Sequence, residues 1–201
     1  MLSPARDPNF ASSKQHGEIA QLRTLWLASS CCPKHRTAID VGAHIGIWTK
    51  ELSRLFKEVW AFEPCSENFE CLKANAPRKA QLVNVALGDC DGKCDLDLPE
   101  GGNSGMWRVA GGDKIELHTL DSYTFEEVDL IKIDAEGYEG KVLKGALETI
   151  RLSRPVIVFE DNGLGEKYYG FDWLDPKVLL AAEGYEQVHK ANKDLIWAPK
   201  C

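Results

Sequence analysis

From residue 37 onward, short apolar runs alternate with segments whose apolar side chains recur at helical spacing. Strand–helix–strand units of this kind require a mostly parallel sheet with helices on both faces. Strands are predicted at 37–41, 58–62, 80–86, 128–133 and 155–159, with an antiparallel closing pair at 185–189 and 194–197. Helices are predicted at 17–29, 47–56, 66–76, 138–150 and 175–183, and hairpins with a glycine-rich loop between residues 88 and 112. The pattern therefore predicts an α/β fold.

Length and composition fit one such domain. The chain has 201 residues, of which 44% are hydrophobic and 27% charged, a balance typical of globular proteins. Residues 1–36 are predicted to form an N-terminal helical extension and residues 37–201 the α/β domain. No apolar run reaches the ~18 residues of a membrane span, and no signal peptide is recognised. A cytoplasmic location, in a bacterial or a host cell, is therefore expected, and the oligomeric state stays open.

The end of the first predicted strand carries the first candidate site. In the sequence Asp40-Val41-Gly42-Ala43-His44-Ile45-Gly46, the glycines permit a tight turn and close approach of a ligand to the backbone. The spacing differs from the G-x-G-x-x-G of dinucleotide sites. A carboxylate at Asp40 would repel a phosphate but attract an ammonium group. This favours the methionine half of S-adenosylmethionine (AdoMet), although a turn needed only for packing is the alternative.

The end of the second predicted strand carries an acidic residue. Glu63, followed by Pro64, lies about twenty residues after the glycine turn. In this position a carboxylate accepts hydrogen bonds from ribose hydroxyls, a device that NAD enzymes share with AdoMet enzymes. The alternative is a solvated carboxylate in a turn. Together with the glycine turn, Glu63 indicates a nucleoside site.

Six segments resemble the FkbM family of AdoMet-dependent methyltransferases. They occur in the family's order: IDVGAHIGIWT (39–49), AFEPCSENFECLKAN (61–75), NVALGDCDG (84–92), TLDSY (119–123), DLIKIDAEGYEGKVLKGA (129–146) and RPVIVFE (154–160). One departure is His44, where the family often has Asn. The resemblance implies a Rossmann-like class I methyltransferase fold, for residues 37–201, and transfer of a methyl group from AdoMet to a hydroxyl of a sugar, glycan or small metabolite.

The resemblance also implies roles for individual residues. Asp40, Gly42 and Gly46, with Ala43 between them, would line the methionine side of the cofactor. Glu63 would hold the ribose, and Pro64, the next residue, is predicted as a further cofactor contact. Ala86 would lie beside the adenine, and Asp134 would close the site near the transferred methyl group.

The segment around residue 134 supplies candidate catalytic groups. Lys132, Asp134 and Glu136 alternate, and side chains at alternate strand positions point the same way. An alcohol acceptor must lose a proton, and a carboxylate or a lysine of shifted pKa can take it. Burial would lower the pKa of Lys132, although a structural ion pair with Asp134 or Glu160 is an equally open reading. Glu160, after the next strand, is a second candidate general base.

Metal and acceptor sites are less defined. Asp134 and Glu160 could bind a divalent cation, but the ligand set is incomplete, so a metal is not favoured. The loop 99–113 carries Asn103, Trp107 and Arg108, which could orient a sugar or base, and Glu136 is a further candidate contact. An ordinary surface hairpin is the alternative.

Three other functions stay open. A 2′-O-methyltransferase of RNA ribose or cap would also need a proton acceptor, but a net charge of −7 disfavours a nucleic-acid partner. The remaining two are a nucleoside-binding module without turnover and an NAD-dependent oxidoreductase, which the turn spacing disfavours.

Overall fold

A seven-stranded sheet forms the centre of the computed structural model, which describes residues 1–5, 7, 21–170 and 174–200. Its strands are β1 (Thr37–Val41), β2 (Glu58–Phe62), β3 (Gln81–Val83), β7 (Val128–Ile133), β8 (Val156–Glu160), β9 (Tyr185–Ala191) and β10 (Asp194–Pro199). The order across the sheet is β3-β2-β1-β7-β8-β10-β9. All pairs are parallel except those that β10 makes with β8 and β9. The predicted α/β sheet with an antiparallel C-terminal strand is confirmed.

Helices cover both faces of this sheet. They are α1 (21–30), α2 (Ile47–Leu55), α3 (Ser66–Asn75), α4 (Glu139–Lys144), α5 (Leu147–Ser153), α6 (Leu164–Tyr169) and α7 (Pro176–Ala182), with a single 3-10 turn at Asp121–Tyr123. One apolar cluster joins α4, α5 and α7 to the sheet, and another joins α1 and α2 to its opposite face. Adjacent residues of β1 and β7 point into opposite clusters, which explains why these strands are continuously apolar.

The first helix covers most of its predicted range. Residues 21–30 are helical, and the part of the prediction at 17–20 lies outside the described residues. Leu25 and Ala28 are fully buried against the sheet. Within the predicted N-terminal helical extension, residues 21–30 therefore pack onto the same core as the domain that follows.

The predicted strand 80–86 is divided between two sheets. Only Gln81–Val83 pairs with β2, and β4 (Ala86–Leu87) joins a small sheet with β5 (Gly92–Asp97) and β6 (Arg108–His118) in the order β4-β6-β5. Asn84 lies at the division, where its side-chain amide donates to the carbonyl oxygens of Glu63 (2.7 Å) and Pro64 (3.2 Å). These bonds turn the chain out of the main sheet. The apolar pattern of residues 80–86 alone does not indicate that the chain leaves the main sheet at Asn84.

The predicted helix 138–150 is also wrong as a single element. The chain is interrupted at Gly145, where a Cβ atom would collide with the carbonyl oxygen of Gly88. A new helix then starts at Leu147, and the Asp121 carboxylate accepts from the amides of Glu148 (3.0 Å) and Thr149 (2.8 Å). A cap supplied by a distant part of the chain is invisible to helical periodicity.

The remaining boundaries agree with the sequence to within a few residues. Helix α6 was not predicted, and β6 begins at Arg108, inside the stretch interpreted as a loop. Among the described residues, no helix combines the length and apolar character that a bilayer span requires.

Candidate functional site

A cavity of about 350 Å³ lies at the carboxyl ends of β1, β2 and β7. Such crevices at the switch point of a parallel sheet are where α/β proteins bind ligands. The cavity brings together most of the residues predicted for the site: Gly42, Ala43, Glu63, Pro64, Ala86, Asn103, Trp107, Lys132, Asp134, Glu136 and Glu160. Residues from position 42 to position 160 of the sequence therefore line one space.

The glycine turn after β1 has the backbone geometry that only glycine adopts freely. Gly42 and Gly46 have φ angles of 69° and 90°. A Cβ on Gly42 would collide with the carbonyl group of Asp134, and one on Gly46 would lie 2.7 Å from Leu72 Cδ1. His44, between them, has a φ of 52°, a left-handed conformation that Asn and His tolerate better than most residues. The turn thus places the end of β1 directly against the end of β7.

Lys132 holds this turn in place from below. Its ammonium group donates to the carbonyl oxygens of Gly42 (2.8 Å) and Val41 (3.2 Å) and lies 3.2 Å from Asp40 Oδ1. Burial disfavours the charge, but the carboxylates of Asp40 and Asp134 outweigh it, so the pKa of Lys132 is raised. Burial therefore does not lower this pKa, and the alternative interpretation of Lys132 as a structural lysine in an ion pair fits, with Asp40 as its nearer partner and Asp134 Oδ2 at 3.7 Å.

Asp40 lies beneath the cavity rather than in its wall. The carboxylate is fully buried, accepts from Thr49 Oγ1 at 2.6 Å and faces Lys132. Gly46 is also absent from the cavity lining. Both residues support the turn from behind, and the structure gives neither a direct path to a ligand.

Glu63 lies in the cavity wall with its carboxylate fixed by backbone amides. It accepts from His44 N at 2.8 Å and from Cys65 N at 2.9 Å, and only 4% of the residue is exposed. Burial raises the pKa of Glu63 to about 7, against the lowering effect of these amides. Oε1 also accepts from Asn68 Nδ2 at 3.4 Å, whereas Oε2 retains a lone pair with which the carboxylate can accept a further hydrogen bond from a ligand.

The segment between β5 and β6, residues 98–107, forms a lid over the cavity, and three side chains fasten it. Ser104 Oγ lies 2.8 Å from His44 Nε2, and the carbonyl oxygen of Ser104 accepts from Asn68 Nδ2 at 2.9 Å. The amide of Ser104 donates to the carboxylate of Asp7 at 2.8 Å. Burial lowers the pKa of His44 to about 4, so its imidazole is neutral at pH 7. The lid is thereby tied to the glycine turn, to α3 and to the N-terminal segment.

At the opposite end of the cavity, Asp134, Glu136 and Glu160 form an acid cluster. One carboxylate oxygen of each lies within 4.8 Å of the other two. Burial, followed by the charges of Asp134 and Glu160, raises the pKa of Glu136 to about 8. Burial and Asp134 also raise the pKa of Glu160, whose Oε2 accepts from Asn162 at 2.7 Å. The acid cluster can therefore take up a proton at neutral pH.

The turn that carries Glu136 is held by a further buried acid. Glu139 Oε1 accepts from the amides of Ala135 (3.1 Å) and Gly137 (3.0 Å). Glu136 itself has a φ of 51°, an uncommon conformation for a residue with a side chain. The space next to Gly137 is filled by the backbone of Leu164 and Gly165. That glycine is required by the approach of α6, not by a ligand.

Arg108 lies outside the cavity. Its guanidinium pairs with Asp97 and covers the ring of Tyr168 at 3.7 Å. It lines a separate groove with Tyr138 and Tyr169. Asn103, Trp107 and Glu136, the other predicted acceptor contacts, do line the cavity. Of the four predicted acceptor contacts, Arg108 alone lies elsewhere.

Sequence reasoning missed the residues that assemble the site. His44 was noted only as a departure from a family pattern, Asn84 and Ser104 only by their positions at a strand end and in the loop 99–113, and Asn68 was not singled out. The clearest available signal was the set of polar residues at strand ends and on the first turn of α3. Ser104 is 36 positions from Asn68 and 60 positions from His44 in the sequence. Local sequence patterns do not specify contacts over such separations.

The fold and the site together define a class. A sheet of this order with one antiparallel strand, a glycine turn after β1 and an acid after β2 is the class I methyltransferase fold. The chain belongs to the methyltransferase FkbM domain family, whose model matches residues 40–186.

One curated protein and two solved structures show what the chain is similar to. The hexuronic acid methyltransferase AglP of Haloferax volcanii is 27% identical over 165 residues, which cover 77% of this chain and 66% of that protein. The structure of methyltransferase FkbM from Methylobacillus flagellatus is similar over 82% of this chain and 43% of its own (TM-score 0.55, 18% identity). A SAM-dependent methyltransferase of Leishmania major aligns over 99% of this chain and 79% of its own (TM-score 0.57, 13% identity). The chain thus spans less than two thirds of the first two relatives.

Proposed function

We propose that this protein is an AdoMet-dependent O-methyltransferase that methylates a hydroxyl group of a sugar or glycan. One observation carries the proposal: a single cavity runs from the ribose-type acid Glu63, past the glycine turn, to the acid cluster at Asp134, Glu136 and Glu160. A nucleoside end and a proton-accepting end in one space are what methyl transfer to an alcohol requires.

The cavity fits AdoMet in size and in donor set. Its volume lies within the range of roughly 300–1,000 Å³ for ligand and cofactor pockets. Glu63 would hold the ribose hydroxyls, Pro64 and Ala86 would flank the adenine, and Gly42 with Ala43 would border the methionine moiety. Asp134, which is partly exposed in the wall, would face the ammonium group. When bound, AdoMet supplies an electrophilic methyl group, which passes to the acceptor oxygen as its bond to sulfur breaks and S-adenosylhomocysteine remains.

Lys132 acts as a positioning residue in this proposal. Because its ammonium group is engaged by Asp40 and by two carbonyl oxygens of the turn, it is not available as a base. Glu160 is the better general base, since its carboxylate faces the cavity and its pKa is raised. It would take the proton that the acceptor hydroxyl loses while the new carbon–oxygen bond forms. Positioning of the two reactants would supply most of the remaining rate enhancement.

The sugar acceptor is supported by the curated relative. That protein is named for hexuronic acid, and this chain matches 66% of it. An RNA acceptor is less well supported, because the chain is acidic and the rim near the acid cluster would repel phosphates. An NAD-dependent reaction is disfavoured by family membership and by the spacing of the turn.

Calorimetric titration tests the proposal. Purified protein is titrated with AdoMet, S-adenosylhomocysteine and NAD, and the titrations are repeated on Glu63→Ala and on Glu70→Ala, a control with an exposed side chain on α3. We expect the first two ligands to bind to the native protein and to the control, and Glu63→Ala to bind them at least tenfold more weakly. Binding of NAD without AdoMet would refute the proposed function.

A further inference from the structure

A second cavity, of about 300 Å³, adjoins the first above the ends of β7 and β8. The two cavities share a wall formed by Gln21, Trp48, Lys132, Asp134 and Glu160. From this wall the second cavity extends to the turn between β9 and β10, where Asn192, Lys193 and Asp194 line it. A molecule in the second cavity would therefore contact the carboxylates at which the first cavity ends.

The charges around the second cavity are predominantly negative. Asp134, Glu160 and Asp194 line it, and Glu136 completes the acid cluster beside it. Burial raises the pKa of Asp194, whose carboxylate accepts from Thr24 Oγ1 at 2.9 Å. A crowd of carboxylates of this kind disfavours any additional anion.

Among the described residues, two cations line the second cavity, and they offset this excess only in part. Lys132 lies 3.7 Å from Asp134 Oδ2, but its charge is shared with Asp40 and with the carbonyl oxygens of the glycine turn. Lys193 has a side chain that is 69% exposed, and its Nζ lies 3.9 Å from Glu160 Oε1. An exposed ion pair at this separation is largely screened by water and salt.

We propose that the second cavity binds the acceptor ring and selects an uncharged or amine-bearing sugar over a uronate. The inference rests on the proposed function. Ring hydroxyls would donate hydrogen bonds to Glu160, Asp134 and Asp194, and an amine would pair with them. A uronate would place a further carboxylate against the acid cluster, with the loss of its hydration. A general base in the acid cluster fits a hydroxyl acceptor, because an alcohol must lose a proton when it is methylated. A carboxylate acceptor is already a nucleophilic anion and needs no base.

The test compares three sugars of similar size by calorimetry: methyl glucoside, glucosamine and glucuronate. Each is titrated into protein saturated with S-adenosylhomocysteine and into the free protein at the same pH and salt concentration. We expect methyl glucoside and glucosamine to bind at least tenfold more tightly than glucuronate. With the titrations run at about pH 9, where Glu136 is ionised, Glu136→Gln should reduce this difference because it removes a negative charge from the acid cluster, whereas Glu126→Gln, an exposed control, should preserve it.

Two results would overturn the inference. One is binding of glucuronate as tight as that of the neutral sugar, and the other is no sugar binding by either form of the protein. Failure of S-adenosylhomocysteine to bind counts against the proposed function instead. In that case the titrations of the free protein still decide between a neutral and an acidic acceptor.

Discussion

At the scale of single residues, the site depends on charged side chains that are buried among backbone groups. Lys132 and Asp40 form a buried ion pair. The Lys132 side chain is 7% exposed, and the Asp40 side chain is not exposed at all. Breaking a buried pair costs more than forming it gains, because the remaining charge has no partner. Glu63 is also buried and Glu160 is half-buried, but both residues line the cavity. Mutations in the first group should therefore act on folding, and those in the second on ligands and turnover.

Replacing Lys132 with methionine should destabilise the protein by about 3–5 kcal/mol, because Asp40 would remain as a buried, unpaired charge. Chemical denaturation measures the loss, and calorimetry should show weaker binding of S-adenosylhomocysteine in whatever fraction stays folded. Lys193→Met removes an exposed lysine from the same region and should leave stability within about 0.5 kcal/mol of the native value. Equal stability of the two variants would contradict the role of Lys132 in holding the glycine turn in place.

Replacing Glu160 with glutamine should lower kcat by roughly 10²-fold or more, the usual contribution of a general base. The affinity for S-adenosylhomocysteine should change little, because the amide keeps the size and the hydrogen-bonding capacity of the side chain. Methyl transfer from labelled AdoMet to the accepted sugar measures the effect. Asp161→Asn is the matched control, since Asp161 is the next residue and pairs with Lys177. Unchanged turnover in Glu160→Gln would assign the base elsewhere.

At the scale of elements, short segments end where distant residues cap or block them. Asn84 ends β3 by bonding to the chain after β2, and Asp121 starts α5. The contact between Gly145 and Gly88 separates α4 from α5. These breaks shape the site, because α4 begins with Glu139, which fixes the turn that carries Glu136.

Replacing Asp121 with alanine should destabilise the protein by about 0.5–2 kcal/mol, the cost of losing a helix cap. The carboxylate accepts from two amides of α5 and from Thr149 Oγ1 at 2.8 Å, so the value should lie towards the upper end. Urea denaturation gives the free energy of unfolding. Glu126→Ala, an exposed residue outside the cap, should be nearly neutral. An Asp121→Ala variant as stable as this control would show that α5 does not depend on the cap.

At the scale of the whole molecule, the cavity lies at the ends of strands that run between two apolar cores, and the lid, residues 98–107, covers it. The strands that bear the site run between the cores, which fixes the ends of β1 and β7 rigidly. The lid, in contrast, is held to the body by hydrogen bonds of Ser104 with Asp7, His44 and Asn68. A rigid floor and a fastened lid are a suitable arrangement for a ligand that must enter and leave.

The stability of the ligand-free protein should reflect the raised pKa values of buried glutamates. The pKa of Glu136 is raised to about 8, and those of Glu63 and Glu139 to about 7, whereas an unfolded glutamate titrates near 4.5. Between these pKa values the folded state binds more protons than the unfolded state, so these groups make stability fall as pH rises from about 5 to about 8. Below 4.5 and above 8 their contribution is constant.

Glu136→Gln isolates one part of this dependence. The difference in Tm between the variant and the native protein should be small near pH 5, increase in favour of the variant up to about pH 8, and then level off. Scanning calorimetry across this range measures it, with Glu126→Gln as the exposed control. A difference that is independent of pH would mean that Glu136 has no raised pKa in the folded protein.

The sequence by itself determined the α/β sheet and which strand ends carry the candidate site. Continuous apolar strands, helical periodicity and turn residues are local properties, and they were enough to place β1, β2 and β7 at their observed bounds. The position of Glu63 after β2 and of the glycines after β1 follows from the same local order. Strand ends of a parallel sheet converge at one edge, so the convergence of these residues was also predictable.

Only the tertiary structure decided which charged residues pair with one another and which line the cavity. Asp40 and Lys132 were candidates for the site, but their mutual ion pair and the carbonyl oxygens of the turn make them its support. Arg108 lies outside the cavity because β6 begins there and Asp97 binds it. The lid contacts of Ser104 and the caps of Asn84 and Asp121 join distant segments. Their energies depend on distance, burial and desolvation, which arise only when the chain is folded, so no local pattern encodes them.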